Sequence, residues 1–176
     1  MLPVVIAVLV ILLFLVIFIA GRPDEFNVTR TATISAPPAT VFAQVNDLRA
    51  WEAWSPWAKL DPNAKSTYEG PGAGVGSIMR WSGNKKIGEG AMTIVDSQPD
   101  RLVRFKLEFL RPFKATNTAE FTFCPEGSQT VVSWTMSGHN NAGSKMFGLL
   151  MDCEKMVGKD FDRGLANLKS VAESKR

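Results

Sequence analysis

Between Leu102 and Gly138 the chain reads Leu102-Val-Arg-Phe-Lys-Leu-Glu-Phe109, then Ala115-Thr-Asn-Thr-Ala-Glu-Phe-Thr-Phe123, then Thr130-Val-Val-Ser-Trp-Thr-Met-Ser-Gly138. In the first run Val103, Phe105, Leu107 and Phe109 alternate with Arg104, Lys106 and Glu108. In the second, Ala119, Phe121 and Phe123 alternate with Thr118, Glu120 and Thr122. In the third, Val132, Trp134 and Met136 share one parity. Apolar residues at period two put one face of a strand in a core and the other in water. Pro125-Glu-Gly-Ser128 separates the last two runs and reads as a turn. The stretch therefore predicts an antiparallel meander with one wet face and one dry face.

The same pattern extends upstream. Val75 to Trp81 and Lys86 to Ser97 read as strands, joined at Ser82-Gly-Asn84 and closed by Gln98-Pro-Asp100. Phe26 to Ser35 reads as a strand in which Val28, Ala32 and Ile34 are set against Thr and Arg. Pro38 to Asn46 predicts a short helix, because proline suits the first helical turn and Val41, Phe42 and Val45 form a stripe. A single sheet with one apolar face needs a cover. The C-terminal segment supplies it: Phe147, Leu150, Met151, Val157, Phe161, Leu165 and Leu168 recur at helical spacing.

Trp51, Trp54 and Trp57 crowd into seven residues, and Ser55-Pro56 breaks any helix between the last two. Trp51 is expected in the core; Trp54 and Trp57, which flank the break, are expected to line a cavity. Asp47 is expected to cap the helix that follows it, and Asp61-Pro62 to turn the chain.

The 176 residues fit one domain with an appendage. Leu2 to Ala20 carries no charge and is almost wholly Leu, Ile, Val and Phe, enough to span a bilayer. A cleaved signal would want a basic start and a small-residue site; no Lys or Arg precedes the run, and Phe18-Ile19-Ala20 is a poor site. The expected organisation is a transmembrane anchor over 1–21, a linker over 22–25 and a domain over 26–176. Arg22 and Arg30 after the span lean the domain towards the cytoplasm. Net charge is +3 with the signs interspersed, so no nucleic-acid stripe is expected. Cys124 and Cys153 are too far apart for a metal pair and are expected as free buried thiols.

Several motifs together resemble one family. Ile34-Ser-Ala-Pro-Pro38, Val41-Phe42, Asp47-Leu48 and Trp51 are similar to the opening of the polyketide cyclase/dehydrase and lipid-transport family, within the SRPBCC or START-like superfamily. Trp54-Ser-Pro-Trp57, Asp61-Pro62, Gly70-Pro-Gly-Ala-Gly-Val-Gly76, Trp81-Ser-Gly-Asn84, Gly88-Glu-Gly90 with Met92, Thr130 to Trp134 and Gly164-Leu-Ala-Asn-Leu-Lys169 continue the likeness. The resemblance implies an α+β helix-grip fold, a curved antiparallel sheet wrapped around a long C-terminal helix with an apolar cavity between them. The transmembrane anchor is an addition to that domain.

The candidate cavity wall comprises Trp54, Trp57, Met79, Trp81, Met92 and Phe105, with Phe121, Trp134, Met136, Phe147 and Met151. Gly70 to Gly76 lacks the Lys-Ser/Thr of a phosphate loop, and no helix follows it. By the resemblance Gly72, Gly74 and Gly76 border the cavity mouth. Glu89 is the one catalytic candidate: facing inward it would be a general acid or base, facing outward a rim charge, and its parity favours the rim. His139, the single histidine, has no triad or metal partners in the sequence, and neither a metal nor a cofactor is expected. The expected function is binding of a hydrophobic small molecule or lipid beside the membrane. The alternatives are a polyketide cyclase or aromatase and a chaperone-activator-like interaction module.

Overall fold

The computed structural model describes residues 25–112, 114–139 and 153–175, together with residues 3, 6, 9 and 21. Strand β1 (Glu25–Ile34) leads into helices α1 (Pro38–Asn46) and α2 (Trp51–Trp54). Strands β2 (Lys65–Glu69), β3 (Ile78–Ser82), β4 (Glu89–Gln98), β5 (Leu102–Arg111), β6 (Ala115–Glu126) and β7 (Gln129–His139) follow, and helix α3 (Cys153–Glu173) ends the fold. The seven strands form one antiparallel sheet in the order β1-β7-β6-β5-β4-β3-β2. β2 escapes the period-two reading because only Tyr68 of its five residues is even half-buried.

The register carries single rows of side chains across the whole sheet. One row runs Phe26, Gly138, Asn117, Leu107, Met92, Met79, Tyr68. The next runs Val28, Met136, Ala119, Phe105, Ile94. Both lie on the face covered by α3, whose Phe161, Leu165, Leu168 and Ala172 are buried. Register shifts leave one extra residue in β5 at Leu110, opposite Glu89/Gly90, and one in β4 at Val95, between Ile94 and Asp96, and such bulges increase local bend and twist.

The two ends of this grip differ. At one end α1 packs against β5, β6, β7 and α3, and the tail of α3 is tied down. There the Ser35 N–H donates to Glu173 Oε1 at 2.7 Å, Lys169 Nζ donates to the Thr33 carbonyl at 2.9 Å, and Lys175 Nζ donates to Gln44 Oε1 at 3.1 Å. Thr130, fully buried, donates to the Ala36 carbonyl at 2.7 Å. We call this the closed end. The opposite, open end gathers the start of β1, the end of β7, the β3–β4 and β5–β6 turns and the start of α3.

Three local expectations are corrected and a fourth, for Asp61, is extended. Asp47 is the C-cap of α1, and its carboxylate accepts the Arg49 N–H at 2.8 Å, so it shapes the turn before α2 rather than capping α2 itself. Cys124 is an exposed thiol, because it has the outward parity opposite Phe123; the side chain of Cys153 lies outside the described residues. Arg30 shares the parity of Val28 and Ala32 and reaches α3, where Nε sits 3.5 Å from Asp162. Gly158 makes room for it: a Cβ there would lie 2.1 Å from Arg30 Nη2. Asp61 is more than a turn residue. It is buried, accepts the Asn63 N–H at 3.0 Å and the Asn84 N–H at 2.7 Å, and so staples its own turn to the β3–β4 turn.

Residues 3, 6 and 9 of the apolar run are helical, and Ile6 and Leu9 are exposed; the rest of the run lies outside the described residues. Among the described residues no helix is long and apolar enough to cross a membrane. Phe147, Leu150 and Met151 also lie outside the described residues.

Candidate functional site

The concave face is graded from one end to the other. Towards the closed end it is an aromatic layer with no slack. Trp54 is 1% exposed and Trp134 2%, and Phe105, Phe121 and Phe161 are equally buried. Trp134 stacks on Phe161 at 3.9 Å and 8° and on Phe121 at 4.7 Å and 28°. Trp51 and Trp54 meet at 4.3 Å and present edges to this stack. Their indoles are satisfied: Trp51 Nε1 donates to the Val45 carbonyl at 2.9 Å and Trp54 Nε1 to the Gln44 carbonyl at 3.1 Å. Trp54 therefore stands with Trp51 as a locked core residue. Trp57 differs: it is half-buried and sets its edge against Trp134 and Phe161.

Towards the open end the same face loosens. Phe26, Met79, Trp81, Leu107 and Val157 are apolar yet only half-buried, and Met156 on α3 is 45% exposed. Met92 and Met136 are buried between the two regions. Trp81 lies flat over Gly90, where a Cβ would come 2.5 Å from its Cζ2, and meets Phe109 edge-on at 5.9 Å. Its Nε1 donates to the Ile87 carbonyl at 3.1 Å, so the ring is held while part of it stays uncovered.

Two polar groups interrupt the apolar concave side, one within the packed layer and one in the open-end row. Trp134 Nε1 is buried and has no hydrogen-bond partner among the described residues. An unmet buried donor of this kind costs about 1–3 kcal/mol. A Cβ on Gly164 would lie 2.7 Å from Trp134 Cζ3, so the benzo edge faces α3 and the N–H edge faces away from Gly164. Asn117 is the second group. It occupies an inward position between Leu107 and Gly138, and its amide has no partner among the described residues. Gly138 is glycine for this reason: a Cβ would lie 2.2 Å from Asn117 Oδ1. Neither group stands out in the sequence. Asn117 could have been found from its odd-numbered parity with Ala119 and Phe121.

Glu89 lies on the convex face. It pairs across the strands with Arg111 and Ser82, its carboxylate forms an ion pair with Arg111, and Arg111 also donates to Ser82 Oγ at 3.3 Å. The convex face is a charge-matched ladder elsewhere as well: Arg104 binds Asp96 and Glu120, and Lys106 binds Glu108.

The glycine loop is pinned by hydrogen bonds. Gly74 N donates to the Asn46 carbonyl at 3.2 Å, Gly76 N to the Ile94 carbonyl at 2.9 Å, and Ser77 Oγ to the Pro71 carbonyl at 2.9 Å. Gly70 has φ +80 and no room for a Cβ, which would sit 2.3 Å from the Gly76 oxygen. Gly72 faces open space. The loop abuts α1 and the β4 bulge at Val95, away from the open-end row.

At the rim of the sheet Tyr68 carries the Arg49 guanidinium 4.6 Å over its ring. Burial, and then the negative charge of Glu52, hold its hydroxyl above the usual phenol range. His139 is exposed at the open end, 3.7 Å from Glu25. No group of metal-binding side chains occurs among the described residues.

A family model described as polyketide cyclase / dehydrase and lipid transport matches residues 25–173. No curated protein matches the chain. Similar folds occur in solved structures. Protein MLL2253 from Mesorhizobium loti superposes with a TM-score of 0.64 at 14% identity, over 86% of this chain and 99% of that one. The Aha1 dimer from Colwellia psychrerythraea gives 0.61 at 17%, over 84% and 96%. The di-domain ARO/CYC BexL of the BE-7585A biosynthetic pathway gives 0.61 at 17%, over 90% of this chain and 53% of that one. At these identities the likeness is one of fold.

Proposed function

The chain belongs to the polyketide cyclase/dehydrase and lipid transport family, and on that premise we propose that its domain binds a hydrophobic small molecule or lipid between the concave sheet face and the first half of α3. One observation carries the reading. The concave face is fully packed at the closed end, whereas Phe26, Met79, Trp81 and Leu107 stay half-covered at the open end. An apolar ligand there is stabilised by about 0.8 kcal/mol per buried methylene, with no need for a charged partner. Ligand pockets of this kind are mostly apolar with a few placed polar groups. The half-buried Asn117 amide, in the open-end row, is the group available to orient an oxygen on the ligand.

In the same reading residues 2–20 anchor the domain in a bilayer, with the domain on the cytoplasmic side. Tethering raises the effective concentration of membrane-derived ligands, which favours a lipid or quinone over a soluble metabolite. The cyclase reading needs an acid or base on the concave face. Glu89 does not supply one, since it is paired with Arg111 on the convex face.

The test is organic extraction and mass spectrometry of the full chain purified in mild detergent, beside Leu107→Trp, which fills the space. Supporting the proposal, the native chain carries an apolar adduct that Leu107→Trp loses while keeping its circular dichroism. An equal yield of adduct from both proteins, or none from the native chain, overturns it.

A further inference from the structure

We propose that the open end of the grip docks on an anionic bilayer surface, with Lys85, Lys86 and Lys114 against the headgroups and the half-covered apolar row facing the membrane. The inference rests on the anchor reading above and adds which part of the domain meets the lipid.

Three independent observations converge on that end. The first is where the chain outside the domain joins it. Gly21 to Asp24 separates the apolar run from Glu25, the first residue of β1, and four residues span at most about 14 Å. Glu25 pairs with His139 at the open end, so the anchor emerges there. The closed end lies a whole strand away, since the 10 residues of β1 rise roughly 33 Å.

The second is charge. Lys85, Lys86 and Lys114 are exposed on the two open-end turns, and Lys65 is exposed at the start of β2. None of the four has an ion-pair partner among the described residues. The cations of the convex face are by contrast matched, Arg104 to Asp96 and Glu120, Lys106 to Glu108. The closed-end turns carry Asp100 and Glu126 against Arg101. The free positive charge of the sheet's turns is thus gathered on the side from which the anchor leaves. Basic groups near an anionic leaflet each shift docking by roughly fivefold.

The third is apolar exposure beside those lysines. Leu110 is 46% exposed and Met156 is 45% exposed, while Trp81 and Ile87 are partly uncovered. Amphipathic indoles and leucines flanked by lysines suit the headgroup boundary. Docking in this pose sets the open row against the lipid, so a ligand would pass from bilayer to protein without crossing water.

The experiment uses the full chain with Cys124→Ser and Cys153→Ser, a fluorophore at Leu110→Cys or at Ser128→Cys, and vesicles containing brominated phosphatidylcholine with or without phosphatidylglycerol. Alkaline carbonate extraction is run on the same vesicles. The proposal expects the probe at 110 to be quenched when phosphatidylglycerol is present, and the probe at 128 not. The triple variant Lys85→Glu, Lys86→Glu, Lys114→Glu, like high salt, is expected to abolish that quenching while the chain still resists carbonate. Equal quenching at 110 and 128, or quenching at 110 indifferent to phosphatidylglycerol and to the triple variant, overturns the docking while the anchor stands. Release by carbonate overturns the anchor, and the docking with it.

Discussion

Gly158 and Gly164 are both buried on α3 and look alike in the sequence, yet their neighbours set opposite expectations. At Gly158 an added Cβ meets the tip of Arg30, a flexible side chain that can swing away. At Gly164 it meets Trp134 Cζ3 at 2.7 Å and Pro56 Cδ at 3.1 Å, and Trp134 is clamped between Phe121 and Phe161. Replacing a helical glycine by alanine gains about 1 kcal/mol where nothing clashes, and overpacking a rigid core costs about 1–3 kcal/mol. Gly158→Ala is therefore expected to be neutral or stabilising and Gly164→Ala destabilising in chemical denaturation. Equal midpoints would show that Trp134 is not clamped. Asp61→Ala leaves the Asn63 and Asn84 N–H groups without their acceptor and is expected to cost about 1–3 kcal/mol. Tyr68 is the single tyrosine, so absorbance at 295 nm titrates it alone. Burial and Glu52 raise its pKa, so the folded state resists ionisation and loses this contribution as pH rises beyond about 10. The folded midpoint is expected above that value, and Glu52→Gln is expected to lower it; a midpoint at or below the unfolded chain's contradicts this.

At the scale of elements, much of the fold was legible because burial alternates so regularly. Val103, Phe105, Phe121, Val132 and Trp134 announce their strands one by one, and Phe161, Leu165 and Leu168 announce α3. The failures share a cause. β2 is an exposed edge strand, so burial writes no pattern into it. Arg30 has core parity because Gly158, far along the chain, leaves space for its guanidinium. Trp134 acquires its interest from a buried N–H with no partner among the described residues, and Asn117 from its place in an apolar row, both properties of three-dimensional neighbours. Glu89 could be assigned by parity even beside a bulge, whereas Trp54 could not, because its burial follows from the carbonyl of Gln44 ten residues earlier. The graded packing of α3 also predicts graded stability. Amides over 161–172, above the aromatic layer, are expected to exchange more slowly than those over 154–158. Uniform protection along α3 would argue that the open end is as tightly packed as the closed one.

For the whole molecule, β2 to β7 form a six-strand meander with β1 added beside β7, one helix covers the sheet and two short helices plug one end. The domain begins at the opposite, open end, and the turn lysines without an ion-pair partner among the described residues cluster there. In the proposed reading, tether, charge and apolar opening describe one direction of approach, from a bilayer into the space beneath α3. The most direct measurement is photo-crosslinking of the full chain in vesicles with a lipid carrying a diazirine on its acyl chain, followed by peptide mapping. The account predicts label on peptides containing Met79 to Trp81 and Leu107 to Phe109, lost in Leu107→Trp. Label confined to the apolar segment 2–20 would contradict it.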